Sequence, residues 1–132
     1  MAVEAIAAAD PGTYDPLILP LLRRADGVWQ ADWAPLVPLL CDAAVSPGRR
    51  AGAFQASLVG ALVAQAVAVR RDHGDFAVGL TGGAFQNRRL SELSLQSLQE
   101  AGFRAYLPVT VPCNDAGLSC GQVIEAAACH AT

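Results

Sequence analysis

A chain of 132 residues, 53% of them apolar, is long enough for one packed domain at most, or for a piece of one. The formal charge of -3 argues against nucleic acid as a main partner, because binding phosphates needs clustered cations and the arginines here come mostly as isolated pairs, from Arg23-Arg24 to Arg88-Arg89. The four cysteines, Cys41, Cys113, Cys120 and Cys129, show no C-x-x-C spacing, which argues against a zinc knuckle or dithiol motif and fits reduced, buried thiols in a cytoplasmic protein.

In chain order, the first stretch, MAVEAIAAADPG, carries Glu4 and Asp10 and no basic segment, so no secretory leader is expected. Residues 1–25 read as an irregular lead-in, with Pro11, Pro16 and Pro20 favouring loop or a short strand before a turn. Asp26-Gly27 signals a turn and Val28-Trp29-Gln30 an extended piece. Asp32 then caps a helix predicted over Trp33 to Ala44, with Pro35 in its first turn and Pro38 making it short. Residues 26–132 are read as the domain proper.

Ser46-Pro47-Gly48 breaks the chain before a long helix. From Ala51 to Val69 no charged residue occurs, a length close to that of a membrane span. Gln55, Gln65 and the many Ala and Gly residues oppose insertion and favour a core helix. Arg70, Arg71 and His73 sit at its negative end, and Gly74 is suited to stop it. Asp75 to Leu80 is a short apolar strand, Thr81-Gly82-Gly83 a turn, and Asn87 to Ala101 a helix with Leu90, Leu93, Leu98 and Ala101 along one stripe. FRAYLPV is a second strand. VPCNDAGLSCGQVIEAAACH is a loop followed by a helix that starts at Asn114 or Asp115.

The order α-β-α-β-α predicts an α/β fold with a parallel βαβ unit. Ligands bind such sheets beyond the carboxyl ends of the strands. The loops Thr81–Phe85 and Val111–Gly117 should share that rim, and His73 should lie at the opposite one. Glycines after a strand let backbone N–H groups approach an anion or nucleotide, yet Gly82-Gly83 completes neither the Walker nor the G-x-G-x-x-G pattern, and such a pair is more often a turn than a site. Asn87 reads as a helix cap or a hydrogen-bonding amide. Asp115 reads as a cap or as a hard-cation ligand. No nucleophile–base pair is evident, and nothing around Cys113 marks it as reactive.

Taken together, LTGGAFQN followed by VPCNDAGLSCGQ resembles the end of the hydrogenase maturation carbamoyltransferase HypF family, which carries S-G-G-V-F-Q-N and P-x-N-D-G-G-I-x-x-G-Q segments in this order. LLRRADGVWQADWAPLVPLL and RRAGAFQASLVGALVAQAV look like the family's preceding stretches, so the resemblance runs from about Tyr14 onward. It implies half of an actin/sugar-kinase-like (ribonuclease H-like) fold, with a short, mostly parallel sheet packed by helices. It implies ATP and carbamoyl adenylate as ligands, with Gly82, Gly83 and Asn87 contacting the nucleotide and Asp115 holding a divalent metal. It also implies a HypE-like protein as carbamoyl acceptor on the route to nickel-iron hydrogenase.

The departures are specific. The family's H-x-x-x-H metal motif from the first half of the fold is not in this sequence. Ala116 and Thr81 replace a glycine and a frequent serine, and Phe54-Gln55 stands where Phe-His is usual. The resemblance therefore implies a carboxyl-terminal lobe that is inactive alone and needs its amino-terminal half or a copy of itself. The other readings are a non-catalytic interaction or dimerisation module, or a lobe of a carbamoyltransferase acting on small-molecule hydroxyls or tRNA; the GGAFQN spelling favours the hydrogenase branch over the tRNA one.

Overall fold

In the computed structural model the described residues are 14–130, together with Ala5 and Ile6. The readings made around Glu4, Asp10 and Pro11 lie outside them.

The described chain opens with an antiparallel hairpin, β1 (Leu21–Arg23) and β2 (Trp29–Ala31). Asp26 accepts the Val28 N–H at 3.1 Å, and Gly27 takes φ +84°, the left-handed conformation that the predicted turn requires. The predicted helix over Trp33 to Ala44 is shorter than expected: α1 spans only Leu36–Cys41. Asp32 accepts the Ala34 N–H at 2.9 Å and so tightens a turn rather than capping the helix. Pro38 falls in the first turn of α1, where its missing N–H costs nothing.

The long helix α2 runs Pro47–His73. Ser46 caps it by accepting the Arg49 N–H at 3.3 Å, Pro47 opens it, and Gly74 (φ +83°) ends it after Arg70, Arg71 and His73. α2 is long and apolar enough to cross a bilayer, with mean hydropathy 1.6. Here it packs against α1, the hairpin and the next helix, α3 (Arg88–Glu100), as the core helix of an α/β unit. Apart from Val59, its buried residues are small or polar: Ala51, Gly52, Ala53, Gln55, Ser57 and Ala61 among them. Small side chains let its neighbours come close. The Tyr14 ring lies directly on Gly52, where any Cβ would collide with it.

β3 (Ala77–Gly79) and β4 (Arg104–Tyr106) pair in parallel, Val78 opposite Ala105, with α3 as the crossover. Leu80, Leu98, Phe103 and Ala105 form the main core, backed by Leu62, Val63 and Leu95. A second cluster, Leu19, Leu36 and Ala61, lies under the hairpin. The buried line of α3 is not the leucine stripe alone. Ser91, Ser94 and Leu98 are its buried residues, while Leu90 and Leu93 are half-buried. Ser91 is seated by donating its hydroxyl to the Phe85 carbonyl at 2.6 Å.

The hairpin is tied to the far end of α2. The Trp29 indole donates to Asp72 at 3.0 Å, and Gln65 Nε2 donates to the Trp29 carbonyl at 3.0 Å. Arg23 and Arg71 lie against the same indole. Residues on both sides of Asp26 thus belong to one packed element, since β1 and β2 pair across that turn.

Candidate functional site

The two loops expected to share a rim do so. β3 ends at Gly79, and Leu80 continues the pairing by donating to the Tyr106 carbonyl at 2.9 Å. The chain then turns through Gly82 at φ +106° and ψ 158°, a conformation essentially restricted to glycine. A 3-10 turn, Gly83–Gln86, leads into α3. The Gly82 N–H donates to the Cys113 carbonyl, and the Thr81 hydroxyl reaches the same oxygen at 3.4 Å. One carbonyl therefore fastens the first loop to the second.

That bond alters the role expected of the glycines. The Gly82 N–H is spent inside the protein. The N–H groups of Gly83 and Ala84 carry no acceptor among the described residues, so the available donors stand one residue further along. Asn87 is the cap of α3: its Oδ1 accepts the Leu90 N–H at 3.0 Å. Its amide nitrogen remains for any other contact.

In the second loop Asn114, not Asp115, does the capping, accepting the Ala116 N–H at 3.1 Å. A short 3-10 turn, Asp115–Gly117, precedes the last helix, α4 (Leu118–His130). Gly117 is pressed against the Pro112 carbonyl and the Val111 side chain, so a Cβ there would force the loop open. Asp115 is exposed, and its carboxylate joins no hydrogen bond or ion pair among the described residues.

Between the loops lies a cleft of about 520 Å³, lined by Thr81, Gly82, Cys113, Asn114 and Asp115 and by the near face of α4. Leu118, Gly121, Gln122 and Glu125 recur at helical spacing on that face. On the other side of the turn an apolar groove of about 550 Å³ is walled by Phe54, Leu58, Leu62, Ala84, Phe85 and the exposed Trp33. Thr81 and Gly82 thus line the cleft, whereas Ala84 and Phe85 of the following turn line the apolar groove. His73, at the end of α2 that feeds β3, stands at the opposite end of the sheet, as expected from the connectivity.

Chemically, the cleft offers two carboxylates, Asp115 and Glu125, that join no hydrogen bond or ion pair among the described residues, beside Thr81 and Gly82, while Ala84 lines the apolar groove instead. No three His, Cys, Asp or Glu side chains come together among the described residues, and the cysteines expected to be buried are not: Cys41 and Cys129 are exposed, Cys113 and Cys120 half-buried. Asp115 fits a divalent cation as a single hard oxygen ligand, and such a cation would need further ligands from another surface. The Cys113 carbonyl as the joint of the two loops, the donor of Ala84, and the α4 residues Gln122 and Glu125 were not singled out in the sequence. Only Gln122, inside the G-Q of the second motif, carried a signal that could have found it.

Three comparisons bear on this geometry. The family model for the carbamoyltransferase, Kae1-like domain, second subdomain matches residues 1–122. The chain is 41% identical over 97 residues to the carbamoyltransferase HypF of Rhodobacter capsulatus, covering 74% of this chain and 13% of that protein. It is 40% identical over 67 residues to the tRNA N6-adenosine threonylcarbamoyltransferase of Bordetella petrii, covering 51% of this chain and 19% of that protein. A crystal structure of full-length HypF in the phosphate- and nucleotide-bound form superposes with a TM-score of 0.78 at 26% identity, over 91% of this chain and 16% of that one. The chain spans between 13% and 20% of the length of the curated relatives it matches.

Proposed function

The chain belongs to the Kae1-like carbamoyltransferase family, as its second subdomain, and from that premise we propose that it forms one wall of a carbamoyl-adenylate site used in the cytoplasm for nickel-iron hydrogenase maturation. The observation that supports this most is the meeting of the two motifs. LTGGAFQN and VPCNDAGLSCGQ fold onto one rim, are joined through the Cys113 carbonyl, and leave Asp115 unpaired in the cleft between them.

In this reading the turn from Gly82 to Ala84 lies against the nucleotide. Gly82 permits close approach because no Cβ projects there, and Gly83 and Ala84 present donors to phosphate oxygens. Asn87 contributes its amide nitrogen while its oxygen holds the start of α3. Asp115 is one ligand of a divalent cation, which when bound neutralises phosphate charge. The chain's own part in catalysis is positioning: free donors on the turn and a carboxylate on the loop fastened to that turn. The remaining ligands and the opposite wall come from the other half of the fold, so this chain alone is inactive. The acceptor is a HypE-like protein.

The deciding experiment is isothermal titration with ATP and with AMP, with and without a divalent metal, repeated on Asp115→Ala. Weak, metal-dependent binding that disappears in the variant is expected. Absence of binding under every condition would reduce Gly82, Gly83, Asn87 and Asp115 to turn and cap residues.

The identity to the tRNA-modifying relative supports a second reading, in which the acceptor is a tRNA. The net charge of -3 favours a protein acceptor instead. Filter binding of labelled tRNA at low salt separates them, with no retention expected.

A further inference from the structure

The groove beside the cleft differs from it in chemistry. Among the described residues no charged side chain lines it. Leu19, Trp33, Phe54, Leu58, Phe85 and Leu90 make its walls largely carbon, and Trp33 is left 63% exposed although a large apolar side chain gains from burial. At about 550 Å³ the groove lies within the size range of ligand sites.

Two polar groups break this surface, and both have unused bonding capacity. Gln65 donates through Nε2 to the Trp29 carbonyl, which fixes the amide, and its Oε1 accepts nothing among the described residues. Ser94 is 1% exposed and its Oγ has no hydrogen-bond partner. A staggered rotation about its Cα–Cβ bond can present that hydroxyl to the groove it lines. An unmade bond at a buried polar atom is a net cost, so an occupant that supplies the partner is favoured. The groove thus offers one fixed acceptor and one hydroxyl able to donate, set among carbon.

The cleft and the groove are neighbours along the chain. Gly82 lines the first and Ala84 the second, so roughly 7 Å of backbone separates the two walls. An extended peptide rises about 3.3 Å per residue. A segment whose reacting atom lies in the cleft therefore passes over the turn and reaches the groove two or three residues away.

We infer that the groove holds a large apolar side chain of the acceptor protein, from a residue two or three positions away from the atom that takes the carbamoyl group. The inference rests on the proposed function and deepens it by giving the acceptor a sequence requirement. Two observations select this occupant. The uncharged lining disfavours phosphate and charged side chains, which would be buried there without a counter-charge. Gln65 Oε1 and Ser94 Oγ complement the N–H and C=O of one peptide group, whereas a purine buried there carries more polar ring and amino groups than the groove has partners for.

The test follows the isotope-labelled chain by NMR with two capped peptides, acetyl-Gly-Leu-Gly-amide and acetyl-Gly-Asp-Gly-amide, without nucleotide or metal. The leucine peptide is expected to shift the Gln65 side-chain amide and Trp33 indole signals saturably, and the aspartate peptide and adenosine to leave them in place. The HypE-like protein of Rhodobacter capsulatus should shift the same signals, and excess leucine peptide should displace it. Trp33→Asp should lower the affinity for the leucine peptide at least tenfold and Ser94→Ala several-fold, each with an unchanged circular dichroism spectrum. The inference is overturned by equal binding of the two peptides, by no shift of these signals with the leucine peptide or the acceptor, or by an affinity that survives both substitutions. It is also overturned by adenosine moving the Gln65 signal, which would give the groove to the nucleotide base. With ATP titrated separately, a chain whose groove takes the acceptor but that binds no ATP defeats the nucleotide reading alone. A chain that binds ATP while peptide and acceptor leave Gln65 unmoved defeats the groove alone.

Discussion

Gly82 and Cys113 are joined by a backbone hydrogen bond that makes one rim of two distant loops. Gly82 holds φ +106° and ψ 158° there. Gly82→Ala should cost roughly 1–3 kcal/mol, the usual range for a side chain forced into a glycine-only conformation. Urea unfolding followed by tryptophan fluorescence measures it. A variant as stable as the parent would mean that the turn relaxes freely.

Asp115→Ala should leave stability within about 0.5 kcal/mol, because the side chain is exposed and Asn114 does the capping. The same substitution, or removal of divalent metal with a chelator, should abolish nucleotide binding in the titration. A loss of stability without a change in binding would assign Asp115 to the fold.

Asn87 separates two roles in one side chain. Asn87→Ala should destabilise by about 1 kcal/mol through loss of the cap on α3. Asn87→Asp keeps a capping oxygen and removes the amide nitrogen, so its stability should match the parent while nucleotide affinity falls several-fold. Equal affinity in Asn87→Asp would show that the cap is its whole function.

Gln55 is 2% exposed, and neither its Oε1 nor its Nε2 has a hydrogen-bond partner. A buried unpaired amide is a net cost, and an apolar residue of similar shape removes it. Gln55→Met is therefore expected to raise stability by about 1 kcal/mol, read as a higher urea midpoint at unchanged slope. A lower midpoint would mean that the amide is satisfied in solution.

The Asp72 carboxyl is held below its ordinary value of 3.8, chiefly by the hydrogen bond from the Trp29 indole and then by Arg23, Arg71 and His73. Its folded pKa lies below the unfolded one, so its stabilising contribution is complete above the unfolded value and is lost as pH falls through the folded value. Acid titration should therefore release the hairpin, seen as a change in Trp29 fluorescence below about pH 4. Asp72→Asn should flatten that acid limb, and an unchanged limb would mean that other carboxylates control it.

Local chemistry was sufficient for much of the fold. Ser46, Pro47 and Gly74 bound α2 at both ends, Asn87 starts α3, and two apolar runs flanking an amphipathic helix can only pair in parallel. These are short-range effects: a cap, a missing N–H, a residue tolerant of positive φ. The same logic placed the two motif loops at one end of the sheet, because both follow parallel strands. α1 was misjudged because Asp32 had a second local option, an Asx turn onto Ala34, and only the packing of Leu36 under the hairpin settles where helix begins.

What the sequence could not decide depends on contacts between distant segments. That the Gly82 N–H is consumed by Cys113, leaving Gly83 and Ala84 as the donors, follows from how two loops meet. That the buried line of α3 runs through Ser91 and Ser94 follows from its packing against α2 and from the Ser91 bond to the Phe85 carbonyl, and no periodicity count on α3 alone contains that information. The elements and the end of the sheet where chemistry can occur are legible along the chain, because hydrogen-bonding capacity and side-chain period are properties of neighbouring residues. Which donors are free, which carboxylates are unpaired and which faces are bare emerges only on folding, because each of these depends on what arrives from elsewhere in the chain.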